Sequence, residues 1–108
     1  MTISTHVLDT RIGMPAAGMP FILSSAENTE IASGTTNEDG RTNDLKGVHL
    51  EEGLYKMVFD TAKYFSSQGV KDYFYPKVEL NFLVVDPSSH YHVPLILSPF
   101  SFSTYRGS

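Results

Sequence analysis

Apolar and polar residues alternate in short segments along this chain, and turn residues separate the segments. Alternation with a period of two is typical of strands that bury one face. Turns recurring at roughly eight to twelve positions are typical of two packed β-sheets, so the pattern predicts an all-β sandwich. The predicted strands cover residues 4–9, 21–26, 31–35, 48–50, 54–59, 77–85, 90–97 and 100–106.

The segment 90–97 has the most informative alternation. Its odd-numbered residues are apolar and predict a core-facing side, whereas His90 and His92 fall on the opposite, polar side. Pro94 has no N–H to give to a ladder. It therefore predicts an edge strand, or a strand that begins to leave its sheet at this point.

One short helix interrupts the strands. Residues 61–68 have apolar residues three apart, Asp60 or Thr61 can cap the first amides, and Gly69 can end the helix in a left-handed conformation. Earlier in the chain, Asp39 and Gly40 predict a tight turn, because this pair tolerates positive φ.

Length and composition limit the classes of function. With 108 residues, residues 1–108 are expected to form a single domain. The net charge is −4 and the basic residues form no cluster, so nucleic acid is not an expected partner. No segment is apolar enough to cross a membrane, so a membrane is not an expected partner either. The first residues lack a signal peptide's features, which predicts a cytoplasmic protein. The chain has no cysteine, which excludes disulfides and thiolate chemistry.

His90 and His92 support three interpretations. On one face of a strand their Cα atoms would lie roughly 6.6–7 Å apart. With His6 or His49 they could form a three-histidine zinc site with an open position for water. They could instead act as general acid and base without a metal, since imidazole titrates near neutral pH. They could also be solvent-facing strand residues, and the spacing alone does not decide.

Other polar residues leave similar alternatives. Arg41, after the Asp-Gly turn, is either a solvated surface residue or a fixed donor fork for a carbonyl or anionic oxygen. His6 shares a mixed face with Leu8, as in a half-buried site or a strand end. Tyr105 and Arg106 could simply cover an apolar patch with their stems and rings.

Three blocks of sequence resemble one known family. They are His6-Val7-Leu8-Asp9-Thr10 with Gly13-Met14-Pro15-Ala16, then Thr36-Asn37-Glu38-Asp39-Gly40-Arg41, then Tyr91-His92-Val93-Pro94-Leu95 through Ser98-Pro99 to Tyr105-Arg106-Gly107-Ser108. In order and spacing, this set is similar to the transthyretin-like family, and its Tyr-Arg-Gly-Ser motif to the 5-hydroxyisourate hydrolase branch. The resemblance covers nearly the whole chain.

The resemblance implies a sandwich of two four-stranded sheets with one short helix, assembled as a homotetramer with active sites where two dimers meet. It implies hydrolysis of 5-hydroxyisourate to 2-oxo-4-hydroxy-4-carboxy-5-ureidoimidazoline in urate degradation, without metal or cofactor. The implied catalytic residues are His6, Arg41, His92 and Ser108, and the implied substrate-binding residues are His6, Arg41, Tyr105 and Arg106. His90 matches no catalytic position. A transthyretin-like carrier of small ligands and a histidine-ligated zinc hydrolase remain the alternatives.

Overall fold

Two four-stranded sheets face one another in the computed structural model, which describes residues 2–108. The strands, in chain order, are β1 (Thr2–Asp9), β2 (Met14–Pro15), β3 (Pro20–Ser25), β4 (Glu30–Thr35), β5 (Gly53–Phe59), β6 (Val78–Val84), β7 (His90–Leu97) and β8 (Phe102–Thr104). One sheet has the order β2-β1-β7-β8, and the other has the order β4-β3-β5-β6. The predicted sandwich of two four-stranded sheets is confirmed.

The core lies between the two sheets and follows the predicted alternation. Strand β7 buries every second residue against it, and strands β5 and β6 do the same from the other sheet. Burial of each such side chain stabilises the fold by about 1.5–3 kcal/mol. The inward residues of these three strands are Met57, Phe59, Val78, Leu80, Val84, Tyr91, Val93, Leu95 and Leu97.

The helix α1 (Thr61–Ser67) follows β5, as predicted. Asp60 is its N-cap, with a side chain that accepts from the Lys63 N–H at 3.0 Å, whereas the Thr61 hydroxyl donates to the Tyr75 carbonyl. Gly69 has φ +72° and ends the helix in the left-handed region. No helix within residues 2–108 is long and apolar enough to cross a membrane.

A buried hydrogen bond joins this helix to the opposite sheet. The Tyr64 hydroxyl donates to Oδ2 of Asp9 at 2.6 Å, and the Arg11 N–H donates to Oδ1 at 2.9 Å. Asp9 is fully buried at the end of β1. Burial and the adjacent Asp9 carboxylate raise the pKa of Tyr64, which keeps the hydroxyl a donor. The end of β1 is thereby held in place.

Two strand predictions were wrong. Residues 48–50 form no strand. They belong to the loop between β4 and β5, in which the buried residues Leu45 and Leu50 imitate strand alternation. Conversely, no strand was predicted between residues 9 and 21, but this stretch contains the two-residue strand β2, in which Met14 pairs with Asp9 and Pro15 with Leu8.

The position predicted for β7 was also wrong. Pro94 does not mark an edge strand, because β7 lies inside its sheet between β1 and β8. The proline is tolerated because the β8 ladder begins only at Leu95. Beside it, the Thr104 hydroxyl donates to the Pro94 carbonyl at 2.6 Å, so this carbonyl has a side-chain partner.

Candidate active site

The polar face of the sheet β2-β1-β7-β8 is created by parallel pairing of β1 with β7. In this register Ser4 is the partner of His92, and His6 lies two residues further along β1. Partner residues leave the same face of a sheet, and the next residue leaves the other face. Because Tyr91 points into the core, His6, His90 and His92 all lie on the outward face.

Arg41 reaches this face through the turn that follows β4. The N–H of Asn37 donates to the Arg41 carbonyl at 2.7 Å, and Oδ1 of Asn37 accepts from the Arg41 N–H at 3.2 Å. The carbonyl of Gly40 accepts from the N–H of Val7 at 2.9 Å, which ties the turn to β1. A Cβ at Gly40 would overlap the Val7 carbonyl and lie 3.2 Å from Cδ2 of His6. The turn therefore holds Gly40 against β1 next to His6, and the following residue, Arg41, is close enough to His92 for its charge to act on that imidazole.

His92 lies at the centre of this cluster and is half-buried. Burial lowers the pKa of its imidazole, and the positive charge of Arg41, with smaller contributions from His90 and His6, lowers it further. The Ser4 backbone acts in the opposite direction. The lowered pKa favours the neutral imidazole, which has a lone pair available to accept a proton.

The final residues of the chain return to His92. The N–H of Gly107 donates to the His92 carbonyl at 3.0 Å, and a Cβ at Gly107 would overlap the imidazole ring. The register that pairs Gly107 with His92 places Tyr105 beside Pro94, on the histidine face. Tyr105 is 60% exposed there, and Ser108 follows as an exposed residue.

Arg106 lies elsewhere. Its Nη2 donates to the His90 carbonyl at 3.2 Å, and its guanidinium lies 4.4 Å from the centroid of the Tyr91 ring. This cation–π contact directs the side chain to a cleft of about 550 Å³ between β6 and the β7–β8 pair, which His92 and Tyr105 also line. The contacts described for its guanidinium are with the His90 carbonyl and the Tyr91 ring rather than with an imidazole, and its role in substrate binding stays a prediction.

The histidines do not form the arrangement proposed for zinc. The His90 and His92 rings stack with centroids 6.4 Å apart, and the Ser4 hydroxyl contacts both. His49 pairs instead with Glu51 at 3.1 Å. Within residues 2–108 there is no group of three or more His, Cys, Asp or Glu side chains that could hold a metal ion.

This fold and polar face can be compared with known proteins. The model of the HIUase/Transthyretin family matches residues 3–107. This chain belongs to the HIUase/transthyretin family.

Similar members of the HIUase/transthyretin family differ in what their names describe. The chain is 44% identical to 5-hydroxyisourate hydrolase 2 of Rhizobium meliloti, with 98% of this chain and 95% of the relative covered. The solved 5-hydroxyisourate hydrolase of Klebsiella pneumoniae superposes with a TM-score of 0.88 at 33% identity, covering 99% of this chain and 93% of the other. Sea bream transthyretin, solved in complex with thyroxine, also superposes with a TM-score of 0.88. It is 31% identical in sequence, and 99% of this chain and 95% of the transthyretin chain are covered.

Two residues at this face of the HIUase/transthyretin sandwich were not predicted as site residues. Ser4 contacts His92, and Gly107 leaves room for its ring. The alternation in β1 already placed Ser4 on the face of His6, but pairing with β7 was needed to bring it to His92. Gly107 belonged to the terminal motif, where its lack of a side chain was the available signal.

Proposed function

We propose that this protein hydrolyses 5-hydroxyisourate to 2-oxo-4-hydroxy-4-carboxy-5-ureidoimidazoline. The observation that carries the proposal is the convergence of His6, Arg41 and His92 on one sheet face, although they come from β1, a turn and β7. The hydrolases to which the chain is similar, at up to 44% identity over nearly its whole length, support an enzyme of this class.

The chemistry requires a base for water and a donor for the oxygen of the attacked ring carbonyl. His92, with its neutral imidazole, takes a proton from the attacking water while His6 holds that water in position. Arg41 donates to the oxygen that becomes negative, because a guanidinium keeps its charge at any working pH. Tyr105 covers the substrate ring, Ser108 extends the polar network, and Arg106 contributes to substrate binding. No metal or cofactor takes part in this mechanism.

A carrier of apolar ligands fits this face less well. Two imidazoles and a guanidinium would lose water when an apolar ring covered them, and unpaired buried polar groups are costly. The chain is nevertheless similar to transthyretin, so the experiment must also measure ligand binding without turnover, which is the result a carrier would give.

We also propose that the protein assembles as a homotetramer, a dimer of dimers with the sites at the dimer–dimer interface. Strands β6 and β8 lie at the ends of their sheets with unpaired edges. Near them Phe74 is 69% exposed and Phe100 is 64% exposed, and Tyr75 packs edge-on against Phe102. An exposed aromatic patch beside open strand edges is typical of a protein–protein interface.

The activity can be tested with 5-hydroxyisourate generated in situ by urate oxidase. The wild-type protein should speed the loss of near-ultraviolet absorbance above the spontaneous rate. His92→Asn and Arg41→Ala should each lower kcat by about 100-fold or more, the usual effect of losing an acid–base group or an oxyanion donor. His49→Asn is the matched control, because His49 pairs with Glu51 away from this face, and it should retain wild-type activity.

Four results would redirect the proposal. Thyroxine binding without acceleration of the reaction would favour a carrier. Loss of activity in a chelator, together with stoichiometric zinc, would favour the zinc hydrolase, and so would a large loss in His49→Asn. Full activity in His92→Asn would place the site elsewhere.

A further inference from the structure

A row of hydrogen bonds crosses the outward face from β7 to β1. The hydroxyl of Ser4 lies 2.7 Å from Nδ1 of His92 and 3.2 Å from Nε2 of His90. The other ring nitrogen of His90, Nδ1, is hydrogen-bonded to the hydroxyl of Thr2. Ser4 therefore joins the two imidazoles, and the row is His92, Ser4, His90 and Thr2.

The number of protons in this row fixes the tautomers of its members. A serine hydroxyl has one proton, so it can donate to only one of the two imidazole nitrogens and must accept from the other. If Ser4 accepts from Nδ1 of His92, then Nε2 of His92 has a free lone pair. Ser4 then donates to Nε2 of His90, whose Nδ1 donates to Thr2. This arrangement is the one in which His92 can act as a base.

We propose that Ser4 is a positioning residue that relays a proton between His92 and His90 in each turnover. The inference rests on the proposed hydrolase activity, in which His92 takes the proton of the attacking water at Nε2. The Nδ1 proton of His92 then passes to the oxygen of Ser4, and the hydroxyl proton of Ser4 passes to Nε2 of His90. His92 is then neutral, with its proton on Nε2. When Nε2 protonates the departing ring nitrogen, the reverse transfer from His90 through Ser4 returns a proton to Nδ1, so both histidines end neutral and the starting state is restored.

The surroundings favour His90 as the temporary holder of the charge. His92 is half-buried and faces Arg41 and His6, so a second positive charge on it is opposed both by desolvation and by Arg41. His90 is exposed to water. The charged residue Arg106 lies near it, but the Arg106 guanidinium contacts the His90 carbonyl rather than its ring. Transfer of the proton from His92 to His90 therefore separates the positive charge from Arg41.

The hydroxyl of Ser4 is not needed to hold β1 in place. The strand is fixed by eight partner positions along β7 and by the buried residues Ile3, Thr5 and Val7. The described contacts of the Ser4 hydroxyl are the two imidazoles. Its removal should therefore change chemistry more than stability.

The kinetic test compares Ser4→Ala with Ser4→Thr. Ser4→Ala should lower kcat by about 10- to 100-fold, the range for losing an outer partner of a functional histidine, with little change in KM. Its kcat/KM should also begin to fall at lower pH on the acid side, because the imidazolium of His92 loses an acceptor. Ser4→Thr keeps the hydroxyl and should retain most activity. Ser33→Ala removes an exposed strand hydroxyl in β4 and should behave as wild type.

A second variant tests the far end of the row. His90→Gln keeps a group that can accept from Ser4 but cannot hold the extra proton, so it should lower kcat to a similar extent as Ser4→Ala. Wild-type kcat and an unchanged pH profile in both variants would overturn the relay.

A spectroscopic readout separates this inference from the proposed activity. Nitrogen-15 NMR of the imidazoles in wild-type protein should show His92 protonated at Nδ1, with His90 and His92 titrating as a coupled pair. Ser4→Ala should uncouple them. If the wild type does not accelerate loss of 5-hydroxyisourate, the proposed activity fails and this measurement still tests the hydrogen-bonded row. Independent titration of the two histidines in the wild type would contradict it.

Discussion

Partial burial gives His92 a different acid–base behaviour from an exposed histidine. Burial and the charge of Arg41 hold its pKa below the ordinary value of about 6.5. An imidazole that works as a base must be neutral, so a lowered pKa extends the working range towards acid. The residue thus combines a position near substrate with availability across neutral pH.

This behaviour predicts the acid limb of the pH profile. For wild-type protein, the midpoint of the acid-side decline of kcat/KM should lie below the ordinary imidazole value of about 6.5. Arg41→Gln removes the second cause of the lowered pKa, so the midpoint of its decline should move to higher pH although its overall activity is lower. The measurement is kcat/KM from pH 5 to 8 for both proteins. A midpoint that stays in place or moves to lower pH in Arg41→Gln would contradict this account.

At the scale of the elements, the site depends on how the turn after β4 meets β1. Gly40 has φ +73°, and its carbonyl is bonded to the Val7 N–H. Any Cβ at this position would overlap the backbone of β1. Glycine at position 40 therefore lets the turn lie against β1 and sets the position of Arg41.

Gly40→Ala should therefore damage both stability and activity. The left-handed conformation and the backbone overlap should lower the free energy of unfolding by about 2 kcal/mol or more, and kcat should fall because Arg41 moves away from His6. Gly47→Ala is a matched control, since Gly47 has φ +76° but open space around its Cβ. It should lose stability without losing activity. Urea unfolding and kcat for the two variants provide the test, and identical behaviour would show that the contact with β1 is unimportant.

The elements also show what could be predicted from the sequence. Strands β5, β6 and β7 were predicted well because each buries one face continuously, which produces strict alternation. Residues 48–50 were wrongly predicted as a strand because Leu50 is buried in the core although it lies in a loop, and a buried loop residue has the same sequence pattern as a buried strand residue. Strand β2 was missed because it has only two residues, in a segment rich in Gly and Pro.

The site could be predicted only in part, for a related reason. Alternation assigns His90, His92 and His6 each to a face of its own strand, but it does not identify which strands are neighbours. The parallel pairing of β1 with β7 connects residues that are far apart in sequence, and this pairing determines that Ser4 meets His92. Family resemblance supplied the residues that local pattern could not connect.

At the scale of the whole molecule, the exposed aromatic residues near β6 and β8 bear on assembly. Phe74 and Phe100 are among the most exposed large apolar residues in the part of the chain that the structure describes. An interface of this kind would also cover the unpaired edge of β8, whose three residues are all exposed.

Phe74→Ser should weaken self-association. Aromatic residues at the centre of an interface contribute about 2 kcal/mol or more, so the dissociation constant should rise roughly thirtyfold. Light scattering after size exclusion, over a dilution series, should show smaller species for this variant at concentrations where wild type is a tetramer. Leu54→Ser is the control, because Leu54 is 50% exposed on β5, which lies inside its sheet and has no open edge. A monomeric wild-type protein would contradict the proposed assembly.

The pairing of β1 with β7 has a further consequence for synthesis of the protein. The hydrogen bond between Ser4 and His92 joins residues 88 positions apart. At roughly 5–20 residues per second, β1 is synthesised about 4–18 s before its partner strand. During that time its long edge is unpaired except where β2 can cover it, so the nascent chain is exposed to aggregation and to chaperone binding. Activity should then appear in one step, when β7 closes onto β1, rather than increase gradually as the chain grows.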